Sequence, residues 1–297
     1  MHSKKLCNLC PRSCNIDRDQ KSGFCGVMGE NIRVGRVMLH MWEEPCISGT
    51  NGSGTIFFSG CNLRCVYCQN ALLSRECRGK DITVKELSDT MLRLQEQGAH
   101  NINLVTPTQY SAQIIDAARL ARDCGLYIPI VYNTSGYEKV DAVDSLCGTV
   151  SIYLMDYKYA DNTLAMKYSG VSDYDEVAFA SLEKMVRQVG SPHFDKEGIM
   201  LSGVIVRHLV LPGDIENSKA VLQKIHRVFG ERIIISIMNQ YTPIGRLPFE
   251  KLNRTVTAQE YKEVVDFALR IGIKNAYIQD GQTQKESFIP EFNGEGL

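Results

Sequence analysis

Two groups of cysteines carry the chemistry of this sequence. One is Cys61-x3-Cys65-x2-Cys68, and the other is Cys7-x2-Cys10-x3-Cys14-x10-Cys25. Three thiolates so close together can wrap one metal centre. A closed structural zinc site takes four ligands, whereas a catalytic centre keeps one position open. On a 4Fe-4S cluster, three thiolates leave one iron free for a substrate or cofactor. The N-terminal group supplies four thiolates, which suits a closed site, either zinc or an auxiliary cluster. Without a ligand, four thiols so closely spaced would be prone to oxidation. Cys46, Cys77, Cys124 and Cys147 are scattered and read as small structural residues. Recruiting Cys77 as a fourth ligand would instead make the second group a zinc knuckle.

Composition sets the compartment and class. The chain has 297 residues, 44% hydrophobic and 23% charged, which suits a globular protein and excludes disorder. Lys and Arg number 33 against 34 Asp and Glu, for a net charge of -1. That balance argues against nucleic acid as a partner, because phosphate contacts need surplus cations. No run reaches about 18 apolar residues, so no membrane span is expected. Residues 1–5 lead into cysteines rather than an apolar run, so no secretory signal is expected and the cytoplasm is the expected location. In that reducing compartment, cysteines serve metals or catalysis more than disulfides. Eleven of them cannot all pair within one chain.

The elements that position these thiols follow from periodicity. Apolar strand-like runs occur at 55–59, 101–105, 127–132, 150–156, 199–211 and 233–238, with a seventh at 275–278 and a separate strand near 32–39. Helical patterns lie between them. Thr83-x-x-Glu86 and Thr257-x-x-Glu260 have the form of capping boxes. Further helices are expected at 111–124, 174–189 and 217–229. Strand and helix alternating about six times imply parallel β/α units whose chemistry sits at the strands' carboxyl ends. The expected fold is α/β, a partial (β/α)6 TIM-like barrel at 51–297 preceded by a cysteine-rich, metal-binding extension at 1–50.

The second cysteine group directly follows the run at 55–59 and Gly60. With Tyr67 before its last cysteine, it resembles the signature of the radical S-adenosylmethionine (SAM) superfamily. The resemblance covers about Gly52 to Asp280 and is closest to activases of the pyruvate formate-lyase type and to their uncharacterised homologues, which share the stretch Glu44-Pro45-Cys46-Ile47-Ser48-Gly49 followed by Gly-Ser-Gly. It implies a 4Fe-4S cluster on Cys61, Cys65 and Cys68 whose free iron chelates the amino and carboxylate groups of SAM. One electron then cleaves the sulfonium to methionine and a 5′-deoxyadenosyl radical. It also implies a flavodoxin- or ferredoxin-like electron donor and a protein or peptide substrate. Tyr67 matches the aromatic packed near the adenine. Cys68-Gln69-Asn70 resembles the activases' Cys-His-Asn. Asn133-Thr134-Ser135-Gly136-Tyr137 stands where they carry an acidic or polar residue followed by Thr-Asn-Gly. Asp156-Tyr157-Lys158 resembles their Asp-x-Lys, and Arg207-His208-Leu209-Val210-Leu211-Pro212-Gly213 their Arg-x-Val-x-x-Pro-Gly.

Two places depart from that pattern. Where the superfamily carries Gly-Gly-Glu, this chain has Val105-Thr106-Pro107-Thr108, whose hydroxyls would have to receive the SAM amino group. Where activases carry His, it has Met238-Asn239-Gln240-Tyr241. Around SAM, the candidates are therefore Tyr67, Asn70, Thr106, Thr108, Asn133, Ser135, Asp156, Lys158, Arg207 and Asn239. Each has a plainer reading. Asp156 and Lys158, two apart and so on one face of a strand, could be a simple ion pair. Asn133 and Ser135 could be turn residues, and Arg207 a solvated cation able otherwise to fork onto a carboxylate. Trp42 is read as a cover for the barrel opening or as core. Lys219, Lys224, His226 and Arg227 are read as a solvated face or a donor dock. A small metabolite is the alternative substrate, and a non-catalytic zinc or iron–sulfur interaction module is the alternative class.

Overall fold

Short runs of β-branched and aromatic residues, separated by capped amphipathic helices, assemble into one sheet. The structure, a computed structural model, describes residues 6–29, 31–279, 292 and 294–297. Residues 1–5, read for a leader, and Asp280, where the resemblance ends, lie outside these. The strands are β1 (Ile32–His40), β2 (Ser53–Phe58), β3 (Lys80–Ile82), β4 (Ile102–Val105), β5 (Ile130–Thr134), β6 (Ile152–Asp156), β7 (His193–Phe194), β8 (Met200–Leu209), β9 (Ile234–Met238) and β10 (Ala276–Ile278). The helices are α1 (Pro45–Ser48), α2 (Ala71–Ser74), α3 (Val84–Glu96), α4 (Ser111–Asp123), α5 (Val140–Ser145), α6 (Asn162–Ser169), α7 (Tyr174–Val189), α8 (Ile215–Phe229) and α9 (Ala258–Arg270).

The sheet order is β10-β9-β8-β6-β5-β4-β2-β1-β3. From β2 to β10 every neighbouring pair is parallel, which is the open, partial barrel expected. The seventh run, β10, extends the parallel series on β9. β1 pairs antiparallel with both β2 and β3, so residues 32–40 join the barrel sheet across the boundary expected at residue 50. Both capping boxes form: Thr83 and Thr257 each accept from the backbone N–H three residues on, while Glu86 and Glu260 reach back.

Alternation along the strands splits the core into two layers. Tyr132, Tyr153, Val204, Val206 and Ile235 face the helices. Val131, Ile152, Leu154, Ile205 and Ile234 face the concave side and pack with Cys46 and Ile47 of α1. The four-residue helix α1 therefore plugs one end of the lumen. Two residues further along these strands, the same concave face turns polar, with Asn133, Asp156, Arg207 and Ser236. The scattered cysteines divide: Cys46 is buried, but Cys124 and Cys147, expected as structural residues, are exposed. Both sit where a helix has ended in a surface turn, so no neighbouring element covers them.

Candidate active site

Just beyond β2 comes Gly60, whose φ of +86° turns the chain sharply into Cys61. A side chain there would meet Val27 and the Cys25 carbonyl at 2.6 and 2.7 Å, so only glycine fits. The loop that follows carries three thiols. Leu63 N–H donates to Cys61 Sγ at 3.4 Å, Ser169 Oγ to Cys65 Sγ at 3.0 Å and Ser74 Oγ to Cys68 Sγ at 3.3 Å. Burial pushes the Cys61 thiol up to about 12, and raises Cys68 as well. A metal reverses that preference, because coordination deprotonates the thiol outright. Sulfurs that each receive a hydrogen bond fit the thiolate ligands of an iron–sulfur cluster.

Cys65 and Cys68 open onto a cavity of about 400 Å³ at the carboxyl ends of the strands. Tyr67, Asn70, Asn133, Asp156, Lys158 and Arg207 line it too, so eight sequence-selected residues share one wall. Tyr67 is buried, with its hydroxyl 2.7 Å from that of Tyr159 and its ring edge-on to Tyr168 and Tyr241. Arg207 is no solvated cation, since its side chain is only 14% exposed. Its Nε donates to Asp156 Oδ1 at 2.9 Å, Nη1 to Glu43 Oε2 at 3.0 Å and Nη2 to Asn133 Oδ1 at 2.7 Å. The fork expected to take a ligand carboxylate is thus occupied within the chain. Lys158 Nζ donates to Asp156 Oδ2 at 2.7 Å. Burial alone would raise the Asp156 carboxyl, yet Arg207 and Lys158 hold it below its ordinary value. The ion pair read from the sequence exists, but as part of a buried network rather than at a solvated strand end.

Four expected residues stand outside this wall. Thr106 has φ +59°, and Pro107 with the tight turn Thr108–Tyr110 swings the chain away from the lumen into α4. Thr108 Oγ1 donates to the buried carboxyl of Glu138 at 2.5 Å and faces the N-terminal cysteines instead. Ser135 Oγ approaches Asn62 Oδ1 at 3.5 Å. Asn239 is buried, and its N–H donates to Gln279 Oε1 at 2.7 Å. His208 is fully buried between the Tyr157 carbonyl and Ser218 Oγ, at 2.7 and 2.9 Å. Of the α8 cations, Lys219 bridges Glu216 and Glu263 and Lys224 holds Asp175, each at 2.6 Å, so internal ion pairs engage both.

The floor of the cavity was not legible in the sequence. Glu43 and Glu44 enter the lumen from the turn before α1. Asn103 Nδ2 donates to Glu43 Oε1 at 3.0 Å, and Glu44 Oε2 is buried without a partner. Burial raises both carboxyls, most of all by desolvation and against the pull of Arg207. The signals are the run Trp42-Glu43-Glu44-Pro45, two acids ahead of a helix-starting proline, and the stretch Glu44–Gly49 that the resemblance singles out without giving it a role. Trp42 lies on the cavity rim, 65% exposed, which selects the covering role over a core one.

The family model described as Radical SAM superfamily matches residues 55–224, more than half of the chain and the whole span from β2 into α8. The chain belongs to the radical SAM superfamily. Its cofactors are therefore a 4Fe-4S cluster and SAM, and it is an enzyme, which sets aside the non-catalytic interaction module. An uncharacterised protein of Methanocaldococcus jannaschii is 26% identical over 92% of this chain and 77% of its own length. The pyruvate formate-lyase-activating enzyme of Clostridium pasteurianum is 26% identical over 70% of this chain and 82% of its own. A radical SAM methyltransferase from Sphaerobacter thermophilus superposes with a TM-score of 0.56 at 16% identity, covering 82% of this chain and 71% of that one, a likeness of fold. Among the described residues, no helix is long and apolar enough to cross a membrane.

Proposed function

We propose that this radical SAM enzyme acts on a protein or peptide, in the manner of a glycyl-radical activase. The observation that carries the reading is the solvent-facing cavity that joins Cys65 and Cys68 to the exposed rim residue Trp42, into which an extended segment can reach. The similarity to a pyruvate formate-lyase-activating enzyme over 219 residues supports it. Bound together on Cys61, Cys65 and Cys68, cluster and SAM supply one-electron cleavage of the sulfonium and hydrogen abstraction from the substrate. The chain's own residues orient and enclose. Tyr67 and Asn70 stand beside the cluster thiols to hold the adenosyl portion. Asp156 and Lys158, fixed on each other, offer ribose hydroxyls and the methionine head one acceptor and one donor. Arg207 positions Asp156 rather than touching ligand. Buried Tyr67, Tyr159 and Tyr168 keep water from the loop side of the cluster. A flavodoxin- or ferredoxin-like protein donates the electron, and the enzyme works in the cytoplasm.

Glu44 favours a second reading. An unpartnered buried carboxyl oxygen at the cavity floor suits a small substrate bearing an amine or another hydrogen-bond donor. Anaerobic turnover separates the two. Reduced protein with SAM is expected to release 5′-deoxyadenosine, and the Cys61→Ala/Cys65→Ala/Cys68→Ala variant none. Adding a formate-lyase-type glycyl-radical protein should then produce a glycyl-radical EPR signal. Cleavage stimulated only by small amines, with no radical on the protein, would sink the activase reading and support the other.

A further inference from the structure

Cys7, Cys10, Cys14 and Cys25 are spread over nineteen positions of the chain, yet they line one enclosed pocket. The chain folds back to achieve this. Cys7 N–H donates to the Ile16 carbonyl at 2.7 Å, Asn15 N–H to the Cys7 carbonyl at 3.0 Å, and Phe24 N–H to Cys14 Sγ at 3.4 Å. Asn15 and Ser13 take the positive φ values, +50° and +42°, that such a tight return needs.

Arg18 supplies an independent observation. It borders the same pocket, and Nη1 donates to the Gln109 carbonyl at 3.0 Å. Its Nε and Nη2 are buried with no partner. A buried guanidinium with two unused donors calls for an acceptor, best an anion, because leaving buried charged donors unsatisfied is costly. Among the residues lining the pocket, none carries a carboxylate. Four metal-bound thiolates are the anion that the pocket can supply.

We propose that Cys7, Cys10, Cys14 and Cys25 hold a second iron–sulfur cluster, distinct from the one on Cys61, Cys65 and Cys68. Zinc needs its four sulfurs about 2.3 Å from a single point. Among the described residues, no three His, Cys, Asp or Glu side chains converge in the way one ion requires. In a cluster the thiolates share several irons, so the sulfurs stand further apart around a larger body. The site abuts the barrel cluster loop. Cys61 N–H donates to the Cys25 carbonyl at 3.2 Å, and Arg12 donates to the carbonyls of Asn62, Ser169 and Gly170 at 2.8, 2.8 and 2.7 Å. Ser169 in turn donates to Cys65 Sγ. Loading the N-terminal site therefore braces the loop that holds the first cluster.

The test is metal content, which does not depend on what the enzyme's substrate is. The Cys61→Ala/Cys65→Ala/Cys68→Ala variant, reconstituted anaerobically with ferrous iron and sulfide, is expected to stay brown, with iron and acid-labile sulfide in equal amounts. A variant lacking all seven cysteines should hold neither. One zinc per chain without sulfide, or no metal, in the triple variant overturns the proposal. If that variant does not fold, the wild-type chain decides: iron beyond one cubane's worth, lost in part on Cys10→Ser, supports the second cluster, and iron limited to one cubane overturns it. Arg18→Gln in the triple variant should move the cluster's reduction potential to a more negative value, since a cation facing it is removed. An unchanged potential would overturn the place given to Arg18.

Discussion

Arg207 is the residue on which the site's geometry turns. It satisfies Asp156, Glu43 and Asn133 at once, from inside the lumen. Removing one partner of a buried charge network leaves the others uncompensated, at a cost of about 3–5 kcal/mol. Arg207→Ala should lower the urea midpoint accordingly, and an unchanged midpoint would show that Glu43 and Asp156 are held by something else. Two other buried groups contribute to the pH response with opposite signs. Burial pushes the Glu138 carboxyl up to about 7, so the unfolded chain loses that proton first and stability falls as pH rises from about 4.5 to 7. Burial pushes His208 down to about 4, so the unfolded chain gains the proton first and stability falls as pH drops from about 6.5 to 4. Each shift is worth roughly 3 kcal/mol, so the two largely offset each other near pH 5–6. Glu138→Gln should expose the histidine's effect, and denaturation of both proteins at pH 5 and pH 7 will show a steeper acid loss in the variant. Equal slopes would remove Glu138 from the account.

Gly60 is the hinge between a strand and the cluster loop. Alanine there suffers twice, from φ +86° and from contact with Val27 and the Cys25 carbonyl. Gly98 offers a control, because its φ is +88° with open space around it. Left-handed backbone costs both alanine variants about 1–2 kcal/mol. Only Gly60→Ala should also lose iron, measured per chain after anaerobic reconstitution; equal iron in both would show that the crowding does not reach the cluster loop. At this scale the sequence was a good guide where a signal is local. Both capping boxes and the main strands lie within a few residues of their expected places. α1, only four residues long, has no periodicity to read. Thr108 lies off the cavity wall because Pro107 and the turn after it, not the strand's alternation, set its direction.

The barrel, the end of the antiparallel strand β1 and the plug α1 enclose one cavity from several distant segments. SAM binding there should stabilise the whole folded chain through mass action, by about 2.7 kcal/mol at one hundred times its dissociation constant. SAM is expected to raise the Tm of the cluster-loaded protein and to leave the Cys61→Ala/Cys65→Ala/Cys68→Ala variant unmoved. An equal shift in both would mean that the cofactor binds without its iron. The floor provided by Glu43 belongs to this scale too, since Glu43 meets Arg207 across 164 positions of the chain.

What the sequence determined alone was the chemistry of the cysteine loop and the succession of strands and helices. Both are written in spacing between near neighbours, where chain connectivity already fixes who can meet. Only the tertiary structure decided that Arg207 is spent on Asp156 and Glu43, that Thr108 turns away, that two acids floor the cavity and that four N-terminal thiols share a pocket against Cys61. Those contacts join residues whose separation along the chain carries no local period, and they exist because burying the barrel's two faces forces those segments together.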